Sequence, residues 1–70
     1  MNTSGITLKA ARVNKGLSQE KAALELGISK ETLSNYERGK SFPDVIFVKK
    51  IEKLYGVEYK DIIFLTTDYD

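Results

Sequence analysis

Residues Gln19–Arg38 read QEKAALELGISKETLSNYER, and the spacing of small, apolar and glycine positions in this stretch decides the fold. Two helices that cross steeply through a very short turn impose a fixed pattern. Counting from Gln19, the fifth residue must be small, because the second helix crosses there; it is Ala23. The ninth must accept a left-handed backbone in the turn, and it is Gly27. The tenth plugs the corner, and Ile28 is apolar. The fifteenth and eighteenth seat the second helix on the core; they are Leu33 and Tyr36. Ala22 and Leu26 complete the apolar face of the first helix. Ser18 and Ser29 stand just before the two helices, where a hydroxyl satisfies free backbone N–H groups. Glu20 and Glu31 fall in the first turns, where the helix dipole favours negative charge.

Working outward, Ile6, Leu8, Ala11, Arg12 and Lys15 lie on one helical period that Gly16 closes. Beyond the central pair, Gly39 ends the second helix between Arg38 and Lys40, and Lys40–Pro43 reads as a loop. Asp44 is a cap for a fourth helix whose apolar positions are Val45, Val48, Ile51 and Tyr55, with Gly56 at its end. A short fifth helix is expected from about Tyr59 to Phe64, although Glu58 is a poor cap for it. The polar stretch Thr66–Asp70 is expected to fray. No alternation lasts long enough for a strand, and there is no internal repeat or low-complexity linker. The expected fold is all-α: a compact five-helix domain spanning residues 1–70, with its core at about 6–65.

Composition removes whole classes of chemistry. The 70 residues contain no cysteine and no histidine, which excludes disulfides, thiolate or imidazole metal sites and the usual nucleophile–base pairs. No pair of carboxylates in a cleft can be assembled, so the sequence points away from an enzyme and calls for no cofactor and no metal. The N-terminus shows no basic stretch followed by an apolar run, and the apolar runs Val45–Val48 and Ile62–Leu65 are too short to span a bilayer. A soluble cytoplasmic protein with no membrane partner is the expectation. Net charge is only +1, but it is uneven. Met1–Lys40 holds seven Lys/Arg against four Asp/Glu, whereas Ser41–Asp70 holds four against six. A basic front and an acidic back can steer a polyanion to one face.

The stretches Gly16-Leu17-Ser18-Gln19, Ala23, Gly27-Ile28-Ser29, Leu33 to Lys40 and Pro43, continuing through Val48, Ile51 and Tyr55-Gly56-Val57, closely resemble the phage repressor/Cro-type (Xre) helix-turn-helix family. The resemblance runs from about Leu8 to Ile63. It implies five helices, a dimer on a partly palindromic DNA operator, and control of transcription, most simply as a repressor. In the family's docking mode the N-terminal part of the second motif helix enters the major groove. Lys30, Glu31, Thr32, Ser34 and Asn35 are then the base-reading candidates. Asn35 suits adenine N6 and N7, Lys30 suits guanine O6 and N7, Glu31 suits cytosine N4, and Thr32 or Ser34 suits either bases or backbone. Phosphate contacts fall to Gln19, Ser29, Arg38 and Lys40; Gln19, Asn35 and Lys40 match positions that regularly touch DNA in the family. Lys9, Lys15 and Lys21 read as ordinary solvated lysines. Arg12 lies on the apolar stripe of the first helix, and the resemblance implies a structural ion pair with Glu37.

Two departures from the family pattern stand out. Glu31 is acidic where polar uncharged residues are common, so the operator cannot be copied from a relative. Glu52 replaces a small apolar residue, which predicts more solvent around the fourth helix. Apolar residues also exceed what the core stripe needs: Phe47, Leu54, Tyr59, Ile63, Phe64 and Leu65. They form the expected interface of a homodimer whose recognition helices lie about 34–36 Å apart, one turn of DNA. The alternative function is a protein-interaction module that docks a regulatory protein partner through the same apolar surface.

Overall fold

The computed structural model describes residues 5–65. A two-residue strand, β1 (Ile6–Thr7), leads into α1 (Leu8–Asn14), followed by α2 (Gln19–Leu26), α3 (Lys30–Arg38) and α4 (Val45–Tyr55). A single 3-10 turn over Tyr59–Asp61 and a second short strand, β2 (Ile62–Ile63), complete the described chain. The strands pair in parallel, Ile6 opposite Ile62 and Thr7 opposite Ile63. Among the described residues no helix is long and apolar enough to cross a membrane.

Each α-helix starts on a side-chain cap. Thr7 Oγ1 accepts from the Ala10 N–H at 3.1 Å, and Ser18 Oγ accepts from Lys21 at 3.0 Å. Ser29 Oγ accepts from Thr32 at 3.0 Å, and Asp44 Oδ1 from Phe47 at 2.8 Å. Such a cap is worth about 1 kcal/mol, a large share for helices this short, which are marginal on their own. Thr7 is the cap the sequence reading missed. It starts α1 at Leu8, so Ile6 belongs to the ribbon rather than to the helix. At the far end of α2, Gly27 takes φ 76°, the left-handed geometry that turns the chain within three residues into α3.

The core gathers Leu8 and Ala11 from α1, Ala22, Ala23 and Leu26 from α2, and Leu33 from α3. It is completed by Phe47, Ile51 and Tyr55 from α4 and by Ile62 from β2. Leu33 and Ile51 are fully buried. Ala23 is buried to 2% exposure, and its small side chain leaves α3 room to pack on α2. Ile28, Tyr36 and Leu17 pack on the same cluster.

Three expectations change. The fifth helix is a 3-10 turn followed by an extended pair. Glu58 provides no side-chain cap there; instead Glu52 Oε2 accepts from the Tyr59 N–H at 2.6 Å. The β-branched Ile62 and Ile63 then extend along Ile6–Thr7, whose unpaired backbone groups need partners. The helical architecture stands, with four α-helices and a minimal ribbon that the sequence reading did not foresee. In α4 the buried stripe is Phe47, Ile51 and Tyr55, spaced four apart, so Phe47 is a core residue and not part of an outer face. Val45, placed on the stripe by the sequence, is 72% exposed at the helix start. Glu52 does not simply open α4 to solvent; it clasps the following turn. The expectation of a frayed Thr66–Asp70 lies outside the described residues.

Candidate nucleic-acid interface

α3 has one face in the core and one in solvent. Leu33 is fully buried and Tyr36 half-buried, with its ring centroid 5.3 Å from that of Phe47. On the other side Lys30 and Glu31 are exposed, while Thr32, Ser34 and Asn35 are half-buried. The five base-reading candidates therefore occupy the first turn and a half of one helix. Ser29 donates its hydroxyl hydrogen to Thr32 Oγ1 at 2.9 Å while its oxygen caps the helix. That hydroxyl is engaged within the protein, and Thr32 Oγ1 retains its own donor.

Around this face the phosphate candidates sit at element ends. Gln19 opens α2 and is half-buried; Arg38 closes α3 and is exposed; Lys40 follows Gly39 and is exposed. Gly39 takes φ 80°, and the Lys40 N–H donates to the Asn35 carbonyl at 2.8 Å, which fixes where that lysine leaves the helix. Arg38 Nη2 donates to Asn35 Oδ1 at 3.3 Å. Asn35 thus has its amide oriented, with the oxygen on the Arg38 side. Lys9, Lys15 and Lys21 are exposed, Lys21 lying 4.0 Å from Glu25.

Beneath the face lies a buried ionic group. Arg12 Nε donates to Glu37 Oε2 at 2.7 Å and its Nη2 to Oε1 at 3.3 Å. Arg12 Nη1 donates to the Leu17 carbonyl at 2.8 Å. The side chains are 9% and 3% exposed. A guanidinium fork and a carboxylate match in this geometry, and removing one partner of such a pair costs about 3–5 kcal/mol. Gln19 Nε2 adds a further hydrogen bond to Glu37 Oε1 at 3.0 Å. This link between residues on different helices has no sequence signature. The Tyr55 hydroxyl is buried nearby and has no hydrogen-bond partner among the described residues. Burial, reinforced by the Glu37 carboxylate and opposed by Arg12, pushes its pKa up to about 12.

The candidate dimer-interface residues do not form one set. Phe47 is in the core, and Leu54 and Phe64 pack against it. Tyr59, Ile63 and Leu65 are exposed, and so are Phe42, Val45 and Ile46, which the sequence reading had not included. Phe42, Pro43, Val48, Tyr59 and Phe64 line a groove of about 270 Å³. It shares Pro43, Val48 and Tyr59 with a groove of about 400 Å³ that continues to Val45, Lys49 and Glu52. Phe64 stacks edgewise on Phe42 at 6.1 Å and lies 5.8 Å from Tyr59.

A capped helix, a three-residue turn through a left-handed glycine and a second helix with a polar outer face define a helix-turn-helix protein. The helix-turn-helix family model HTH_3 matches residues 8–62, and the chain belongs to that family. The chain is 38% identical over 61 residues to an uncharacterised HTH-type transcriptional regulator of Methanocaldococcus jannaschii, a match covering 87% of this chain and 92% of the relative. It is 43% identical over 53 residues to the HTH-type transcriptional regulator ImmR of Bacillus subtilis, covering 76% and 42%. With the cryptic phage CTXphi transcriptional repressor RstR of Vibrio cholerae it shares 34% over 56 residues, covering 80% and 50%. The match thus spans nearly all of the first relative and about half or less of the other two. The protein is a DNA-binding regulator of transcription of the phage repressor/Cro (Xre) type, and it is not an enzyme.

Proposed function

We propose that the chain acts in the cytoplasm as a single domain, a homodimer on a partly palindromic operator, and that it represses transcription by occupying a promoter. The observation that carries this reading is the two-sidedness of α3: Leu33 is fully buried against the core while Lys30, Glu31 and Asn35 stand on the accessible side. Lys30, Glu31, Thr32, Ser34 and Asn35 read base edges, and Gln19, Arg38 and Lys40 hold the phosphates, while the Ser29 hydroxyl is kept for the helix cap and Thr32. With a net charge of +1, bulk electrostatics contribute little, and affinity rests on these contacts and on two half-sites bound together. RstR is named as a phage repressor, which supports the sign of regulation.

The second copy docks through the groove flanked by Phe42, Val45, Tyr59 and Phe64. An apolar surface of this kind is uncommon on a small monomer, and a two-fold contact there covers it on both subunits at once. The same groove can take a regulatory protein partner instead. Selection of bound sites from random DNA separates the cases. A dimer yields two related half-sites one helical turn apart, and binding that falls steeply with salt. A single unpaired half-site excludes the dimer, and binding without sequence preference excludes the regulator.

A further inference from the structure

The hydrogen bond from Gln19 to Glu37 gives the buried ion pair a task beyond holding α1 to α3. A glutamine at a helix start has several rotatable bonds, and fixing it on a phosphate costs side-chain entropy. Here its amide is already held. Glu37 Oε1 accepts from Gln19 Nε2 at 3.0 Å, and Glu37 is itself fixed by the two donors of Arg12. Arg12 is anchored in turn by the Leu17 carbonyl, in the corner just before Ser18 and Gln19. The chain of contacts leaves α1, passes through α3 and returns to the first residue of α2.

Chemistry fixes the orientation of that amide. An ionised carboxylate only accepts hydrogen bonds, so Nε2 and not Oε1 must face Glu37. The second hydrogen on Nε2 is left for another acceptor. The guanidinium of Arg12 matters here for its charge as well as its donors. A lone carboxylate beside the DNA backbone would repel it; paired with Arg12, Glu37 is neutralised and can stand behind a phosphate-binding side chain.

We infer that Glu37 is a positioning residue for DNA binding: held by Arg12, it aims the Gln19 side-chain amide at a single phosphate of the operator. This rests on the reading of Gln19 as a phosphate contact, and the test separates the two. Operator duplexes carrying one neutral methylphosphonate at each position in turn are titrated with wild type, Gln19→Ala and Glu37→Gln. Wild type should lose about tenfold in affinity at the phosphate that Gln19 contacts, as expected for a hydrogen bond to a charged group. That position-specific loss should vanish in Gln19→Ala and shrink to less than half in Glu37→Gln. The comparison is a ratio within one variant, so a partly unfolded population does not alter it. A merely structural Glu37 would weaken binding at every position and leave the ratio at that phosphate intact, which overturns the proposal while the Gln19 contact survives. If no position loses its penalty in Gln19→Ala, both ideas fall. Should Glu37→Gln not fold, NMR relaxation of the Gln19 side-chain amide in the DNA-free wild type decides. Backbone-like order supports the positioning, and a freely averaging amide overturns it.

Discussion

Tyr55 places a phenol in the core with 3% of its surface exposed and its oxygen unpaired among the described residues. The ring fills space between α4 and the rest of the bundle; the hydroxyl adds a desolvation cost that no hydrogen bond from the described residues offsets. Replacing Tyr55 with Phe should therefore raise stability by about 1 kcal/mol, seen as a higher Tm at neutral pH. Its pH signature follows from the pKa, raised from 10.0 to about 12. The folded state keeps its proton where the unfolded chain has lost it. Stability is therefore independent of this group's titration below pH 10 and falls as pH climbs towards 12. Thermal melts across that window should show a decline in wild type that Tyr55→Phe lacks. On the DNA side, Asn35 and Lys40 should separate cleanly. Asn35→Ala removes a paired donor and acceptor, relaxing preference at one base pair by about 1–3 kcal/mol. Lys40→Ala should weaken all sequences alike and reduce the salt slope by about one phosphate. Competition titrations on single-base operator variants at two salt concentrations distinguish the patterns.

The elements differ in how openly the sequence displays them. Three of the four helices announce themselves by a cap residue, an apolar period of three or four and a closing glycine, because those signals are local. The motif was legible for the same reason: Ala23, Gly27 and Ile28 answer to one turn. What failed was phase and pairing. Val45 and Phe47 are both apolar and two residues apart, and which one turns inward depends on the tertiary surface they meet, where Tyr36 packs beside Phe47. The ribbon of Ile6–Thr7 with Ile62–Ile63 joins the two ends of the described chain, and two-residue strands carry no alternation to detect. The link from Gln19 to Glu37 depends on how α2 and α3 lie together, which no spacing encodes. Glu52 belongs to the same class, since its carboxylate reaches seven residues along to the Tyr59 amide. Glu52→Ala should loosen the 3-10 turn, costing about 1 kcal/mol and raising hydrogen exchange at Tyr59. The α3 amides should keep their protection.

At the scale of the whole molecule, the reading side and the docking side are built on different parts of the chain. α2 and α3 carry the proposed contacts to DNA, whereas the apolar grooves lie between the Phe42–Pro43 loop, α4 and the C-terminal segment. This separation makes the dimer testable without disturbing recognition. Val45 is 72% exposed on the groove's rim, so Val45→Glu should change monomer stability by no more than about 0.5 kcal/mol. It should nevertheless shift sedimentation from dimer to monomer and lower affinity for a two-half-site operator far more than for one half-site. An unchanged sedimentation profile would place the second copy elsewhere.

The parallel ribbon has a consequence for the order in which the molecule comes apart. It joins the most distant segments of the described chain through only two residues on each side, so its contacts close the largest loop for the fewest hydrogen bonds. Such a junction is the natural first step of sub-global opening. The ion pair and Leu33 keep α1, α2 and α3 together while it opens. Ile63 and the exposed Leu65 lie on and just beyond the junction, beside Phe64 of the groove. Every second copy that docks there would also hold the ends closed, and every spontaneous parting of the ends would loosen the docking site. The lifetime of the assembled state would then be set by a breathing motion outside the helix proposed to read DNA.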